Sequence, residues 1–150
     1  MDLYQELILE HSKRPHRMGL REPFDAEVHH VNPTCGDEIT LRVDVDGERI
    51  ADVSYDSLGC SISVASASML AELVTQEELR TARAAFGAMR TMLTSKGADR
   101  GDEEVIGDAV ALAGVSQYPA RVKCALLPWM ALADALAHNG IDLQGEESHD

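Results

Sequence analysis

Asp46-Gly47 separates two runs of alternating apolar residues, and this arrangement predicts a tight antiparallel β-hairpin. An Asp-Gly pair readily adopts the positive φ angles that a two-residue hairpin turn requires. Residues 38–45 alternate as a half-buried strand should, and the pattern resumes after the turn as far as Tyr55. Residues 26–31 have a similar spacing of β-branched positions. This part of the chain is therefore expected to form strands.

Helical patterns surround these strands. Apolar residues recur at helical spacing from Leu3, and Pro15 with its basic neighbours ends that pattern. Residues 61–74 are mostly small or apolar and predict a helix that starts just after Cys60. The segment Thr75-Gln76-Glu77-Glu78 resembles a capping box and predicts the start of another helix, which runs to about residue 97.

Two more helices are predicted near the C-terminus. Residues 105–115 are apolar enough to form a short helix after an exposed, charged loop over residues 97–104. A last helix is expected to begin at Pro119, to be kinked by Pro128, and to end at His138-Asn139-Gly140. Residues 143–150 are expected to form a flexible tail.

Length and charge limit the possible functions. A chain of 150 residues has the usual size of one domain and can bury a core without disulfides. The formal charge of -13 repels phosphate backbones and anionic lipids, so nucleic acid and membranes are not expected partners. Because no signal-like start or long apolar run is present, we expect a cytoplasmic protein.

The three cysteines are the main candidates for chemistry. Free cysteines are often simply buried as small apolar residues, so that interpretation stays open for each of them. Cys35, Cys60 and Cys124, however, all lie near predicted element ends, where functional sites tend to collect. In a reducing compartment an odd number of cysteines favours metal binding, reactivity or burial over disulfides.

A zinc site is one possible reason for their placement. In Cys35-Gly36-Asp37 a residue without a side chain separates a thiol from a carboxylate, so both can aim at one point. With Cys60 and Cys124 this makes four candidate ligands, the number that Zn²⁺ usually takes. The spacing alone is weak support because it contains no C-x-x-C pair. Arg121 and Lys123 flank Cys124 and would compensate the thiolate charge, or they simply form a solvated helix face.

The chain resembles the SufU branch of the IscU/NifU-like family of iron–sulfur cluster assembly proteins. The resemblance spans nearly the whole chain and rests on four motifs: Tyr4-Gln5-Glu6-Leu7-Ile8-Leu9-Glu10-His11 followed by Pro15, Asn32-Pro33-Thr34-Cys35-Gly36-Asp37, Gly59-Cys60-Ser61-Ile62-Ser63, and Arg121-Val122-Lys123-Cys124. It implies a single compact α+β domain over residues 1–150. In that fold a small three-stranded antiparallel sheet packs against several helices, with a metal site at one end.

The resemblance also implies the site and its ligand. Cys35, Asp37, Cys60 and Cys124 match the metal-binding positions of the family and are predicted zinc ligands, with an iron–sulfur cluster as the alternative occupant. Scaffold members of the family have a histidine immediately before the third cysteine, whereas this chain has Lys123, whose ammonium group cannot bind a metal. This difference favours the zinc-binding branch.

The function implied by the resemblance is a sulfur relay. A SufS-type cysteine desulfurase, which carries pyridoxal phosphate, would pass persulfide sulfur to Cys35 for use by a downstream SUF cluster-assembly complex. Docking is expected to free Cys35 from zinc, and Arg121 is expected to assist at the metal–thiolate contact or in docking, or to serve only as a counter-charge. The alternatives are a scaffold that assembles an iron–sulfur cluster and a binding module with structural zinc.

Other charged residues are given lesser roles. The six histidines are scattered, and none is a favoured metal ligand. The basic residues between Lys13 and Arg21 form the one basic cluster of the chain, which would dock the desulfurase or lie solvated at a helix end.

Overall fold

The computed structural model describes residues 3–144. Within that range the chain forms five α-helices, three strands and one 3₁₀ helix. In chain order they are α1 (Leu3–Lys13), β1 (Ala26–Asn32), β2 (Asp37–Asp46), β3 (Arg49–Leu58), α2 (Ser61–Val74), α3 (Leu79–Leu93), α4 (Glu103–Ile106), the 3₁₀ helix (Gly107–Gln117) and α5 (Pro119–Ala137).

The three strands form one antiparallel sheet in the order β1-β2-β3, which confirms the predicted α+β fold. The hairpin between β2 and β3 turns at Gly47, which has a φ of 63°. At the opposite end of the sheet Asn32 pairs with Asp37, and Glu38 pairs with Leu58. The end of β1, the start of β2 and the end of β3 therefore lie side by side, and the cysteine motifs adjoin this edge.

Alternate residues of β2 bury their side chains against the helices. Ile39 and Leu41 are each 1% exposed, and Val43 is fully buried. Helix α5 packs across β1 and β2, and α2 packs against β3, α1 and α5. Trp129 of α5 is fully buried in this core, as predicted from its place in an apolar pattern. Burial of this kind contributes about 1.5–3 kcal/mol for each large apolar side chain.

The predicted capping box is wrong. The Thr75 hydroxyl donates to the carbonyl of Ala71 and so closes the end of α2 instead of opening the next helix. Residues 76 and 77 instead pair with the edge of β3: the Gln76 N–H donates to the Ile50 carbonyl, and the Ile50 N–H donates to the Glu77 carbonyl. Because this pairing holds the backbone away from helical geometry, α3 begins only at Leu79.

Helix α3 also ends earlier than predicted. The Thr94 hydroxyl donates to the carbonyl of Arg90, and the backbone turns into positive φ at Lys96 and Gly97. The predicted helix over residues 105–115 divides into α4 and the 3₁₀ helix. Pro128 lies inside α5, which continues through it to Ala137.

The C-terminal segment packs further than expected. Leu143, assigned to the predicted tail, is only 2% exposed and belongs to the core. Residues 145–150 of that tail lie outside the described residues. Among the helices of residues 3–144, none combines the length and apolar character needed to cross a membrane.

Candidate metal centre

A tight turn after β1 presents Cys35. The carbonyl of Asn32 accepts hydrogen bonds from the N–H groups of Cys35 and Gly36, at 3.2 and 2.8 Å. The Asn32 side chain accepts from the Thr34 N–H at 3.2 Å and donates to Cys35 Sγ at 3.5 Å. Gly36 has a φ of 75°, which a residue with a side chain rarely adopts. Hydrogen bonds within the motif therefore stabilise a turn that holds the Cys35 thiol at the molecular surface.

Asp37 connects this turn to the start of α2. Its carboxylate is fully buried, and Oδ1 accepts a hydrogen bond from the Cys60 N–H at 2.9 Å. Gly59 has a φ of 152°, and a Cβ atom at that position would collide with Asp37 Oδ1. The glycine thus allows the carboxylate to approach the backbone closely, which explains why Gly precedes Cys60.

Cys124 completes the cluster from the second turn of α5. Its Sγ lies 2.9 Å from the Sγ of Cys35, while the Sγ of Cys60 lies 3.7 Å from Asp37 Oδ2. One donor atom each from Cys35, Asp37 and Cys124 fall within 4.8 Å of one another. All four predicted ligand residues are thus neighbours, although Cys60 lies outside the tightest group and joins it through Asp37.

The electrostatics of the cluster fit a divalent cation. A fully buried carboxylate and three thiols share one small volume, and within residues 3–144 no basic side chain forms an ion pair with Asp37. Burial raises the pKa of the Cys124 thiol, and hydrogen bonds with Cys35, Asp37 and Cys60 raise it further. A bound Zn²⁺ would offset the charge of the carboxylate and favour thiolates over thiols, and three sulfurs with one oxygen suit its preferred tetrahedral coordination.

The three cysteines differ in accessibility. Cys124 is buried, Cys60 is partly exposed and Cys35 is exposed. A large reaction partner can therefore reach Cys35 more directly than the other two thiols. Cys35 is thus the most accessible of the three thiols, and its role as the reactive residue stays a prediction.

A cavity of about 860 Å³ adjoins the cysteines. It meets them at Ala120, whose carbonyl lies 3.9 Å from Cys35 Sγ and 3.6 Å from Cys124 Sγ. Its wall includes Arg121 and, from the loop after α3, Arg100. Tyr118, which is 60% exposed, stands at the same wall.

These two arginines differ from the other arginines of the chain. Within residues 3–144, eight of the ten arginines hydrogen-bond or pair with an acidic group, a carbonyl or an amide oxygen: Arg14, Arg17, Arg21, Arg42, Arg49, Arg80, Arg83 and Arg90. Arg100 and Arg121 have no such partner among the described residues, and both line this cavity. Sequence reasoning missed Arg100, because only folding brings its loop to the wall of the same cavity as Arg121.

The predicted basic cluster is largely neutralised within the chain. Arg14 pairs with Glu10 at 3.0 Å, and Arg21 contacts Asp52 through two guanidinium nitrogens at 3.0 and 3.1 Å. Arg17 lies 3.8 Å from the same carboxylate. Lys123 is exposed beside the buried Cys124. Among the described residues, Arg14, Arg17 and Arg21 therefore have acidic partners, whereas Lys13, exposed at the end of α1, forms no ion pair.

Comparison with known proteins identifies the family of the chain. Residues 3–125 match the model of the NifU-like N terminal domain. The chain is 39% identical over 136 residues to the zinc-dependent sulfurtransferase SufU of Bacillus subtilis, covering 90% of each chain. It is 38% identical over 134 residues to the iron–sulfur cluster assembly scaffold protein IscU of Streptococcus pyogenes, covering 89% of this chain and 82% of that one.

Solved structures show the same fold. FiSufU from Fervidobacterium islandicum superposes with a TM-score of 0.79 at 34% identity, covering 87% of this chain and 94% of that one. The N-terminal part of a NifU-like protein from Brucella abortus gives a TM-score of 0.81 at 27% identity, covering 90% and 92%. The chain therefore belongs to the NifU-like N-terminal domain family of iron–sulfur cluster assembly proteins, and it is a SufU-like member of that family.

Proposed function

We propose that this protein is a zinc-dependent sulfur carrier that accepts persulfide sulfur on Cys35 from a SufS-type cysteine desulfurase. The observation that carries the proposal is the exposure of Cys35 beside the buried Asp37 and Cys124, with which it could hold a metal ion. The name of the Bacillus subtilis relative supports the same activity. The sulfur would then pass to a SUF-type complex that builds iron–sulfur clusters in the cytoplasm.

The transfer is a thiol exchange. The Cys35 thiolate attacks the terminal sulfur of the persulfide on the desulfurase. A new S–S bond forms on Cys35, the S–S bond of the donor breaks, and the donor cysteine leaves as a thiolate. The terminal sulfur keeps its proton, so the step needs no external oxidant or reductant. An attacking thiolate must be reachable and in line with the donor, which fits the exposed turn at Cys35.

Cys35, Asp37, Cys60 and Cys124 would hold the zinc ion. Bound zinc would keep the coordinating thiols deprotonated, a state that burial otherwise opposes at Cys124. Asp37 also fixes the start of α2 through its hydrogen bond to the Cys60 N–H. Asp37 and Cys124 thus form the buried part of the cluster, and the turn at Cys35 forms its accessible edge.

Arg121 is the residue proposed to favour an anionic sulfur. It lies one residue after Ala120, whose carbonyl contacts the thiols of both Cys35 and Cys124. Its guanidinium has no partner among the described residues and lines the adjoining cavity. A nearby positive charge attracts thiolates and persulfide anions and lowers the cost of holding them. Arg121 is therefore proposed to assist the transfer as a positioning residue.

A desulfurase assay tests the proposal directly. The desulfurase is supplied with cysteine and reductant, and alanine formation is measured with the wild-type protein or the Cys35→Ser variant. Wild type is expected to accelerate turnover and to gain the mass of one sulfur atom on Cys35. Cys35→Ser should bind the desulfurase without accelerating it. The neighbouring exposed variant Thr34→Ala should behave as wild type, and full stimulation by Cys35→Ser would overturn the assignment.

A cluster scaffold is the second candidate function, and the similarity to the Streptococcus pyogenes IscU favours it. Three thiols and a carboxylate can also hold iron. Metal and sulfide analysis of the purified protein separates the two functions. About one zinc per chain without visible absorbance supports the sulfur carrier, whereas bound iron and sulfide with visible absorbance support the scaffold.

A further inference from the structure

A second group of metal-binding side chains lies where α1 ends. One donor atom each from His11, His16 and Glu72 fall within 4.8 Å of one another. His16 Nδ1 is 2.6 Å from one oxygen of Glu72, and His11 Nε2 is 3.9 Å from the other. Asp108 of the 3₁₀ helix adds a carboxylate oxygen 3.0 Å from His11 Nε2. Two imidazoles and two carboxylates thus converge from three helices and a loop.

The packing of the fold holds the two imidazoles in place. The His11 side chain is only 3% exposed, and its Nδ1 lies 2.7 Å from the Ser68 hydroxyl. The same hydroxyl accepts the backbone N–H of His16 at 2.8 Å, and the Tyr55 hydroxyl donates to the His16 carbonyl at 2.7 Å. In established metal sites a ligating histidine usually bonds through its other ring nitrogen, as His11 does here to Ser68.

The donor set and its spacing suit a divalent first-row metal. Two ligands about 2.0–2.1 Å from a tetrahedral zinc ion lie about 3.3 Å apart. The observed nitrogen–oxygen separations of 2.6, 3.0 and 3.9 Å lie on both sides of that value, so small side-chain movements would satisfy it. The two imidazoles are neutral and each of the two carboxylates carries one negative charge, so a divalent ion neutralises the group. Mixed nitrogen and oxygen donors of this kind bind Zn²⁺, Fe²⁺ or Co²⁺.

The group is separate from the cysteine cluster and open to ions. Glu72 lies 12 residues after Cys60 along the α2 segment, which corresponds to about 18 Å at the rise of an α-helix. The side chains of His16, Glu72 and Asp108 are 40%, 45% and 47% exposed. An ion can therefore enter from solvent without displacing core residues.

We propose that His11, His16, Glu72 and Asp108 form a second binding site for a divalent transition-metal ion, distinct from the cysteine cluster. The competing interpretation is a set of hydrogen-bonded histidine–carboxylate pairs with no metal affinity. The two interpretations differ in stoichiometry and in the spectrum of a bound probe ion. Neither depends on whether the protein carries sulfur.

Titration with Co²⁺ tests the site in the full chain with zinc retained at the cysteines. Wild type is expected to bind one further equivalent of Co²⁺ by equilibrium dialysis. The bound ion should show weak visible d–d bands without thiolate charge-transfer absorbance, because no sulfur coordinates it. A wild-type protein that binds no further equivalent would overturn the proposal, as would Co²⁺ uptake seen only with thiolate charge transfer.

Two variants at half-exposed positions identify the ligands, His16→Gln and Glu72→Gln. Each is expected to weaken binding of the added Co²⁺ at least tenfold while circular dichroism remains that of wild type. His29→Gln is the matched control, since His29 also lies 3.1 Å from a carboxylate, that of Glu38, but outside this group. Binding that persists unchanged in both His16→Gln and Glu72→Gln would overturn the assignment of ligands.

Discussion

The carboxylate of Asp37 accepts a hydrogen bond from the backbone N–H of Cys60 at 2.9 Å, and this contact ties the first residue of β2 to the residue that precedes α2. The carboxylate is fully buried, so its charge needs either a cation or further hydrogen bonds. Asp37 therefore has two roles: it positions Cys60 through a hydrogen bond, and it places a negative charge inside the cysteine cluster.

Replacing Asp37 with Asn should separate these two roles. The asparagine side-chain oxygen can still accept the Cys60 N–H, but the buried charge is lost. We expect metal-free Asp37→Asn to be more stable to urea than metal-free wild type by about 1–3 kcal/mol, because an uncompensated buried charge is costly. The stabilisation by added zinc should shrink correspondingly. A metal-free variant less stable than metal-free wild type would contradict this account.

Gly59→Ala should damage the same contact sterically. The added Cβ would collide with Asp37 Oδ1, and the φ of 152° is unfavourable for alanine. Strain of this kind costs about 1–3 kcal/mol, so thermal unfolding should occur at a lower temperature and zinc content should fall. Gly87→Ala is the control: it lies within α3 with nothing within 4 Å of the added Cβ and should be neutral or stabilising. Equal effects of both variants would refute the steric explanation.

Local sequence patterns predicted most of the fold but not its long-range contacts. Alternation and the Asp46-Gly47 turn located the hairpin because strand geometry is repeated every two residues. The capping box failed because its residues pair with β3, a contact that no local pattern encodes. The length of α3 was overestimated because Thr94 and Lys96 end it before the glycine that marked the predicted stop.

The candidate sites show the same limit. The four-residue cluster at Cys35 was found because motifs surround each of its members, and the family resemblance joined them. Arg100 and the His11–His16 pair were missed because each depends on which loop or helix packs beside them. A histidine in sequence does not reveal that a serine on another helix orients its ring.

Removal of metal should allow a specific disulfide to form. The Sγ atoms of Cys35 and Cys124 are 2.9 Å apart, whereas Cys60 contacts Asp37. We expect chelator-treated protein exposed to diamide, which takes up two electrons, to link Cys35 to Cys124 and to leave Cys60 alkylatable. Peptide mapping without reduction measures this outcome. Zinc-loaded protein should be protected, and Cys60→Ser should form the same link. A predominant link through Cys60 would contradict the observed geometry.

The stability of the metal-free protein should fall at alkaline pH. Burial raises the pKa of the Cys124 thiol in the folded state, so the folded protein holds this proton more tightly than the unfolded chain. The stabilisation is complete below the unfolded thiol pKa of about 8.5 and is lost as pH rises above it, by up to about 1.4 kcal/mol for each pH unit.

Urea unfolding at pH 7.5, 8.5 and 9.5 would measure this slope. This pH range ends below the pKa of Tyr55. Burial raises that pKa to about 12 from an ordinary value of 10.0. Cys124→Ala removes the ionisable group and should flatten the dependence, although the variant will be less stable at every pH. An equally steep decline in Cys124→Ala would assign the effect to other groups.

Substitution of Arg121 tests whether the cavity beside the cysteines contributes to sulfur transfer. If its guanidinium, which has no partner within residues 3–144, attracts the anionic sulfur, Arg121→Ala should reduce stimulation of the desulfurase at least tenfold while zinc content stays at the wild-type level. Arg121→Lys retains the charge and should recover part of the loss.

Arg100→Ala should have a smaller effect, since Arg100 shares the cavity wall but lies on another segment. Arg80→Ala is the surface control, because Arg80 pairs with Glu78 at 3.1 Å and is not a cavity residue. If Arg121→Ala stimulates the desulfurase fully, or loses its zinc, Arg121 does not act as proposed: the first result leaves it a solvated residue, and the second makes it a structural counter-charge of the metal centre.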